Sequence, residues 1–194
     1  MKIYTRKGDD GTTGLLFGGR VAKDSAAPAA CGDVDETQAV LGLARVTVDQ
    51  GSEADSLLIG LQRDLWVLMA EVATAPAHRD RLVPGRTLVT AEMVAALEPR
   101  IDDLTGRFDP PTEFVLPGQT PTAAALDLAR TVARRAERSA LAVAPPESHV
   151  IPYLNRLSDL LWTMARWQEG HALPARGARP APADPIPPDD ETLE

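Results

Sequence analysis

The chain has 194 residues, enough for one domain with a sizeable core. A formal net charge of −8 argues against a general nucleic-acid binder or a membrane-surface binder. A single cysteine, Cys31, excludes an intrachain disulfide framework and suits a reducing, cytoplasmic setting. No secretory apolar region follows Met1, and no apolar run approaches the roughly 20 residues of a membrane span. His78, His149 and His171 are scattered without metal-ligand spacing.

Residues 1–24 form a polar head, Tyr4-Thr5-Arg6-Lys7-Gly8-Asp9-Asp10-Gly11-Thr12-Thr13-Gly14. Its glycines allow a backbone to approach a ligand closely. Its hydroxyls, with Arg6, Lys7 and Lys23, supply what a polyphosphate needs. A turn-rich terminus has the same composition, so the head alone does not decide. Gly14 to Val21 has the spacing of a Walker loop, but Arg20 and Val21 stand where Lys and Ser/Thr are required.

Ser25 to Cys31 reads as a linker. Asp33, with Glu36 three residues on, then reads as the capping box of a first helix running to about Val48. Asp35 has small or apolar helical neighbours, Ala39, Gly42 and Val46, so it needs a cation from elsewhere. Ser52 to Thr74 is a second helix with a Leu57, Leu58, Leu61, Leu65, Leu68 stripe, broadened by Trp66 and Met69 as core. Thr90 caps a third, reaching about Gly106, in which Pro99 predicts a kink or a shortened helix. Glu113 to Gly118 is a short extended apolar segment in which Phe114 suits a core plug.

A fourth helix begins near Pro121. Ala129, Val132, Ala133, Ala136 and Ala140 make its apolar stripe. Arg130, Arg134 and Arg138 climb one side, and Arg130 and Glu137 fall at the stripe's edge. An arginine so near a core needs an anion, and Asp35 is the candidate. Ile151 to Glu169 is a fifth helix with Leu154, Leu157, Leu161 and Met164 buried. Asn155, Asp159, Trp162 and Arg166 share its other, more polar side, where Trp162 marks a candidate subunit contact. The Pro/Ala-rich, acidic residues 171–194 read as a disordered tail. The pattern is all-α, a glycine-rich N-terminal loop over residues 1–24 and a five-helix bundle over residues 25–170.

Three segments taken together resemble the trimeric propanediol-utilisation type of cobalamin (corrinoid) adenosyltransferase. They are Thr5 to Leu15, Gly32-Asp33-Val34-Asp35-Glu36, and Arg134-Arg135-Ala136-Glu137-Arg138 followed by Tyr153-Leu154-Asn155-Arg156-Leu157-Ser158-Asp159. The resemblance covers roughly residues 1–169. It implies a homotrimer with active sites between subunits, and transfer of the 5′-deoxyadenosyl group from ATP to cobalt(I) of a corrinoid, releasing triphosphate. It assigns ATP contacts to Thr5, Arg6, Lys7, Gly8, Thr13, Gly14 and Lys23, and to Arg134, Arg135, Glu137, Arg138 and Asn155. Mg²⁺ rides on the ATP phosphates, with Glu137 its candidate protein ligand. Asp35 and Arg130 match an acid–arginine pair near the reacting centre, and Phe114 matches an aromatic that excludes the lower axial ligand of cobalt. Delivery of adenosylcobalamin to a dependent enzyme is a further implied partnership. The competing reading is a non-catalytic cobalamin carrier or chaperone of the same fold.

Overall fold

The computed structural model describes residues 3–176. Its helices are α1 Ala26–Arg45, α2 Glu53–Val72, α3 Ala91–Ala95, α4 Glu98–Thr105, α5 Pro121–Ala140 and α6 Val150–Glu169, with a 3₁₀ turn at Pro76–Arg81. The four long helices have 20 residues each. At about 1.5 Å per residue each spans about 30 Å, which sets the length of the bundle.

The apolar stripes close the core as their periodicity predicts. Leu58, Leu61, Leu65 and Leu68 of α2 are fully buried, as are Leu154, Leu157, Leu161 and Met164 of α6. The buried stripe of α5 is mostly alanine. Small side chains let neighbouring backbones come close, and α5 packs on both α1 and α6, while α2 packs on α1 and α4 on α6.

Five helical segments were expected, and the third proves to be two. α3 is capped by Thr90 Oγ1, which accepts from Met93 N at 3.3 Å. The chain then restarts as α4 with Pro99 in its first turn, where a missing N–H leaves no bond unmade.

α1 starts eight residues earlier than the capping-box reading placed it, with Ser25 as N-cap and Ala26 as first helical residue. Ser25 to Cys31 is therefore helix, not linker. Pro28 falls in the first turn, where it is tolerated, and the flanking alanines are good helix formers. Asp33 and Glu36 cap nothing; both accept from Arg135 of α5 and so tie the two helices together.

The short strands sit at the ends of the bundle. β1 Thr12–Gly14 pairs antiparallel with β2 Arg20–Ala22. This hairpin docks on α2, because Leu16 N donates to Ala73 O at 2.9 Å. The Arg81 guanidinium lies 4.6 Å over the Phe17 ring at its tip. β3 Val115–Leu116 pairs antiparallel with β4 Leu173–Pro174, and Ala175 N donates to Phe114 O at 2.7 Å. The residues just after Gly170, expected to be loose, thus brace the segment that carries Phe114. The rest of the expected disordered tail, residues 177–194, lies outside the described residues.

Burial expectations fail at one residue each of α2 and α6. Trp66, read as core, is 68% exposed, because it falls outside the leucine stripe that faces α1. Arg166, read on the polar side of α6, is only 2% exposed. It lies against α5, where Asp127 answers its charge.

Candidate active site

Phe114 is not a core plug. It is 91% exposed, at the mouth of a cavity of about 470 Å³ between the β3 segment and helices α5 and α6. Arg130 and Asp127 form part of its wall from α5, Trp162 and Arg166 from α6. An exposed aromatic facing a cation and a second aromatic across a cavity suits a large planar ligand.

The cation of this cavity is held from behind. Arg130 Nε donates to Asp127 Oδ1 at 3.0 Å, three residues back on the same helix. Asp127 Oδ2 accepts from Arg166 at 2.6 Å, and Arg166 also donates to Glu169 Oε2 at 3.0 Å. The Arg166 guanidinium lies 5.7 Å from the Trp162 ring centre. Burial pushes the Glu169 carboxyl above its ordinary value, and Arg166 opposes that shift. Asp127, Arg166, Glu169 and Trp162 were not named as site residues from the sequence. The signal available was the Asp127/Arg130 and Arg166/Glu169 spacing of three, which puts each pair on one helix face.

Asp35 faces a second cavity, of about 360 Å³, with Thr13, Gly14 and Cys31. It makes no ion pair or side-chain hydrogen bond among the described residues, and it is exposed. The Asp35–Arg130 pair is therefore absent within one chain: Arg130 meets Asp127 instead, and Asp35 points outward. Burial, then the nearby Asp35 charge, raises the Cys31 thiol above its ordinary value, so thiolate chemistry is disfavoured there.

In the head, Arg20 is the organiser that sequence reasoning passed over. Its guanidinium donates to Lys7 O and to Thr12 Oγ1. Gly8 lies against the Lys23 side chain: a Cβ there would come within 3.1 Å of Lys23 Nζ. Thr5, Arg6, Lys7 and Lys23 are exposed, with Arg6 at φ 60°. Three cations and the Gly8, Thr13 and Gly14 backbone thus share one end of the molecule, next to the cavity of Asp35.

Along α5 the arginines divide. Arg135 is engaged by Asp33 at 3.1 Å and by Glu36, and so braces α5 against α1. Arg134 and Arg138 are exposed and have no acidic partner among the described residues. Asn155 Nδ2 donates to Glu137 Oε1 at 3.2 Å, which joins α6 to the same face. No group of three or more metal-ligating side chains occurs among the described residues. A magnesium ion would be held mainly by phosphate oxygens, which suits its habit of using few protein ligands.

A single family description, cobalamin adenosyltransferase, matches residues 3–168. The chain belongs to that family. It is 40% identical over 168 residues to the cobalamin adenosyltransferase of Cupriavidus metallidurans, covering 85% of this chain and 86% of that protein. It is 39% identical over 175 residues to the corrinoid adenosyltransferase PduO of Citrobacter freundii, covering 89% of this chain but 51% of that protein. The chain thus spans about half the length of that relative. Among solved structures, it superposes with a TM-score of 0.80 and 29% identity on a variant of the PduO-type ATP:corrinoid adenosyltransferase from Lactobacillus reuteri, complexed with cobalamin and ATP, covering 92% of this chain and 98% of that one. As an adenosyltransferase-family fold, the chain is a helical bundle with strands only at its edges.

Proposed function

We propose that the chain is an ATP:corrinoid adenosyltransferase, moving the 5′-deoxyadenosyl group of ATP to cobalt(I) of a corrinoid. The observation that carries this reading is the pairing of exposed Phe114 with Arg130 and Trp162 around one cavity, in a chain matching the family over residues 3–168. Cobalt(I) supplies the electron pair of the new cobalt–carbon bond, and the C5′–oxygen bond of ATP breaks as triphosphate leaves. No protein base is needed. The protein brings cobalt and C5′ into line and balances the leaving charge. The head cations Arg6, Lys7 and Lys23, with Arg134 and Arg138, are the groups free to hold triphosphate, and Asn155 and Glu137 extend the same face. Phe114 covers the lower face of the corrin, which favours loss of cobalt's lower ligand.

The working unit in this reading is a homotrimer in the cytoplasm, with sites between subunits and the product passed to a dependent enzyme. Exposed Leu43 on α1, Val46 just past its end and Leu128 on α5 support an interface, because apolar side chains this size gain from cover. No helix among the described residues is long and apolar enough to cross a membrane.

The test is to mix the protein with reduced cobalamin and Mg²⁺–ATP under anaerobic conditions and follow the visible spectrum. Appearance of the light-sensitive cobalt–carbon product is expected. Cobalamin binding without product would overturn catalysis and favour the carrier reading.

A further inference from the structure

Asp127 does more than pair two helices. It is 3% exposed, and its two oxygens go to different places. Oδ2 is fixed by Arg166, and the same terminal nitrogen of Arg166 also donates to Glu169. Oδ1 reaches Arg130, whose side chain is partly exposed and lines the Phe114 cavity. The contact uses Nε alone, so the two terminal nitrogens of Arg130 have no partner among the described residues. An Arg held by Nε cannot rotate its planar fork freely, and the fork is then presented in one orientation. Two cations and two anions balance within this group, so each depends on the rest. Apolar residues would hold α5 to α6 at least as well. A buried charge ladder that ends on a partly exposed arginine is suited to aiming it.

We propose that Asp127, backed by Arg166 and Glu169, is the positioning residue for Arg130, setting the direction of the guanidinium that faces the bound corrinoid. This rests on the transferase reading above. Asp127 lies in the cavity wall but is almost wholly buried, so in this proposal it acts through Arg130.

The experiment is a set of three variants: Asp127→Asn, Arg130→Ala and the double variant. Misplacing a positioned group by about 1 Å can cost on the order of a hundredfold, so Asp127→Asn is expected to lower kcat about 10- to 100-fold. The KM for ATP should stay within about twofold, since the phosphate contacts sit elsewhere on α5. In the Arg130→Ala background the Asp127→Asn change should have no further effect, because its target is gone. Equal losses in both backgrounds, or wild-type kinetics in Asp127→Asn, overturn the proposal. Where Asp127→Asn does not fold, Asp127→Glu replaces it with the same expected dependence on Arg130. A second readout needs no turnover: hydrogen exchange at Arg130 Nε, by nitrogen-resolved NMR, should be slow in the unsubstituted protein and fast in Asp127→Asn. Fast exchange in both also overturns the proposal. An unsubstituted protein that makes no product refutes the transferase reading, and the exchange measurement still judges the positioning.

Discussion

Glu71 of α2 is the residue on which the most separate elements converge. It is essentially buried and accepts from Arg79 in the 3₁₀ turn at 2.8 Å, from Val89 N before α3 at 2.8 Å, and from Ser148 before α6 at 2.6 Å. Glu71→Ala would strand Arg79 and two further donors, and breaking a buried pair from one side costs about 3–5 kcal/mol. Chemical denaturation should register that loss with the slope unchanged. Phe114 is the opposite case, exposed, and under the proposed function it answers to a ligand. Phe114→Ala is expected to leave ATP affinity within about twofold, because truncating a side chain away from the phosphates removes no uniform binding. It should reduce the four-coordinate cobalt(II) signal in electron paramagnetic resonance. What the sequence yields at this scale follows from what a helical wheel can see. It placed Arg130 and Glu137 at the stripe's edge, where both are half-buried. It could not see that Arg166 meets Asp127 across 39 positions, because charge pairing between helices leaves no period in either.

The helices were readable where periodicity and caps agree. Ser52 begins α2, with Ser52 Oγ accepting from Asp55 N at 3.2 Å, as its position before a leucine stripe predicts. The start of α1 was misread because two signals conflicted: a proline that ends most helices stood in a run of alanines that begin them, and Asp33-x-x-Glu36 offered a capping box that tertiary contacts with Arg135 had claimed. The hairpin β1–β2 was invisible because its strands have three residues each, too few for alternation to register. The turn between α1 and α2 carries a testable pH dependence. Gly51 N donates to Asp55 Oδ2 at 2.9 Å, and Arg45 Nε donates to Oδ1 at 2.8 Å. These bonds hold the Asp55 carboxyl below its ordinary value, the backbone donor first and the arginine second. A folded-state value below the unfolded one gives stability that is complete above the unfolded value of about 3.9 and is lost as pH falls through the folded one. Asp55→Asn should lower the melting temperature at neutral pH and flatten its fall in that acidic window. Identical acid profiles for the two proteins would show that Asp55 contributes nothing there.

At the scale of the whole molecule, the two residues matched to the reacting centre do not meet. Asp35 opens from α1 beside Gly14, and Arg130 opens from α5 beside Phe114. Each leaves polar atoms without a protein partner among the described residues, and both helices carry exposed apolar groups elsewhere on their surface, Leu43 on α1, Val46 just past its end and Leu128 on α5. A closed three-fold ring joins two different patches of the same chain, so an α1 patch of one copy can cover an α5 patch of the next. In the proposed homotrimer that contact would bring Asp35 of one subunit to Arg130 of another, and the pairing read from sequence would hold between chains instead of within one. The prediction is a complementation. Asp35→Asn and Arg130→Ala should each abolish most activity alone. When the two variants are co-expressed and form mixed trimers at random, a site is whole only if its Asp35 comes from an Arg130→Ala subunit and its Arg130 from an Asp35→Asn subunit, so activity should recover to about one quarter of wild type. Sedimentation of the mixture checks that trimers have formed. If both groups serve a site within the same chain, every mixed site lacks one of them, and activity stays at the floor set by the single variants.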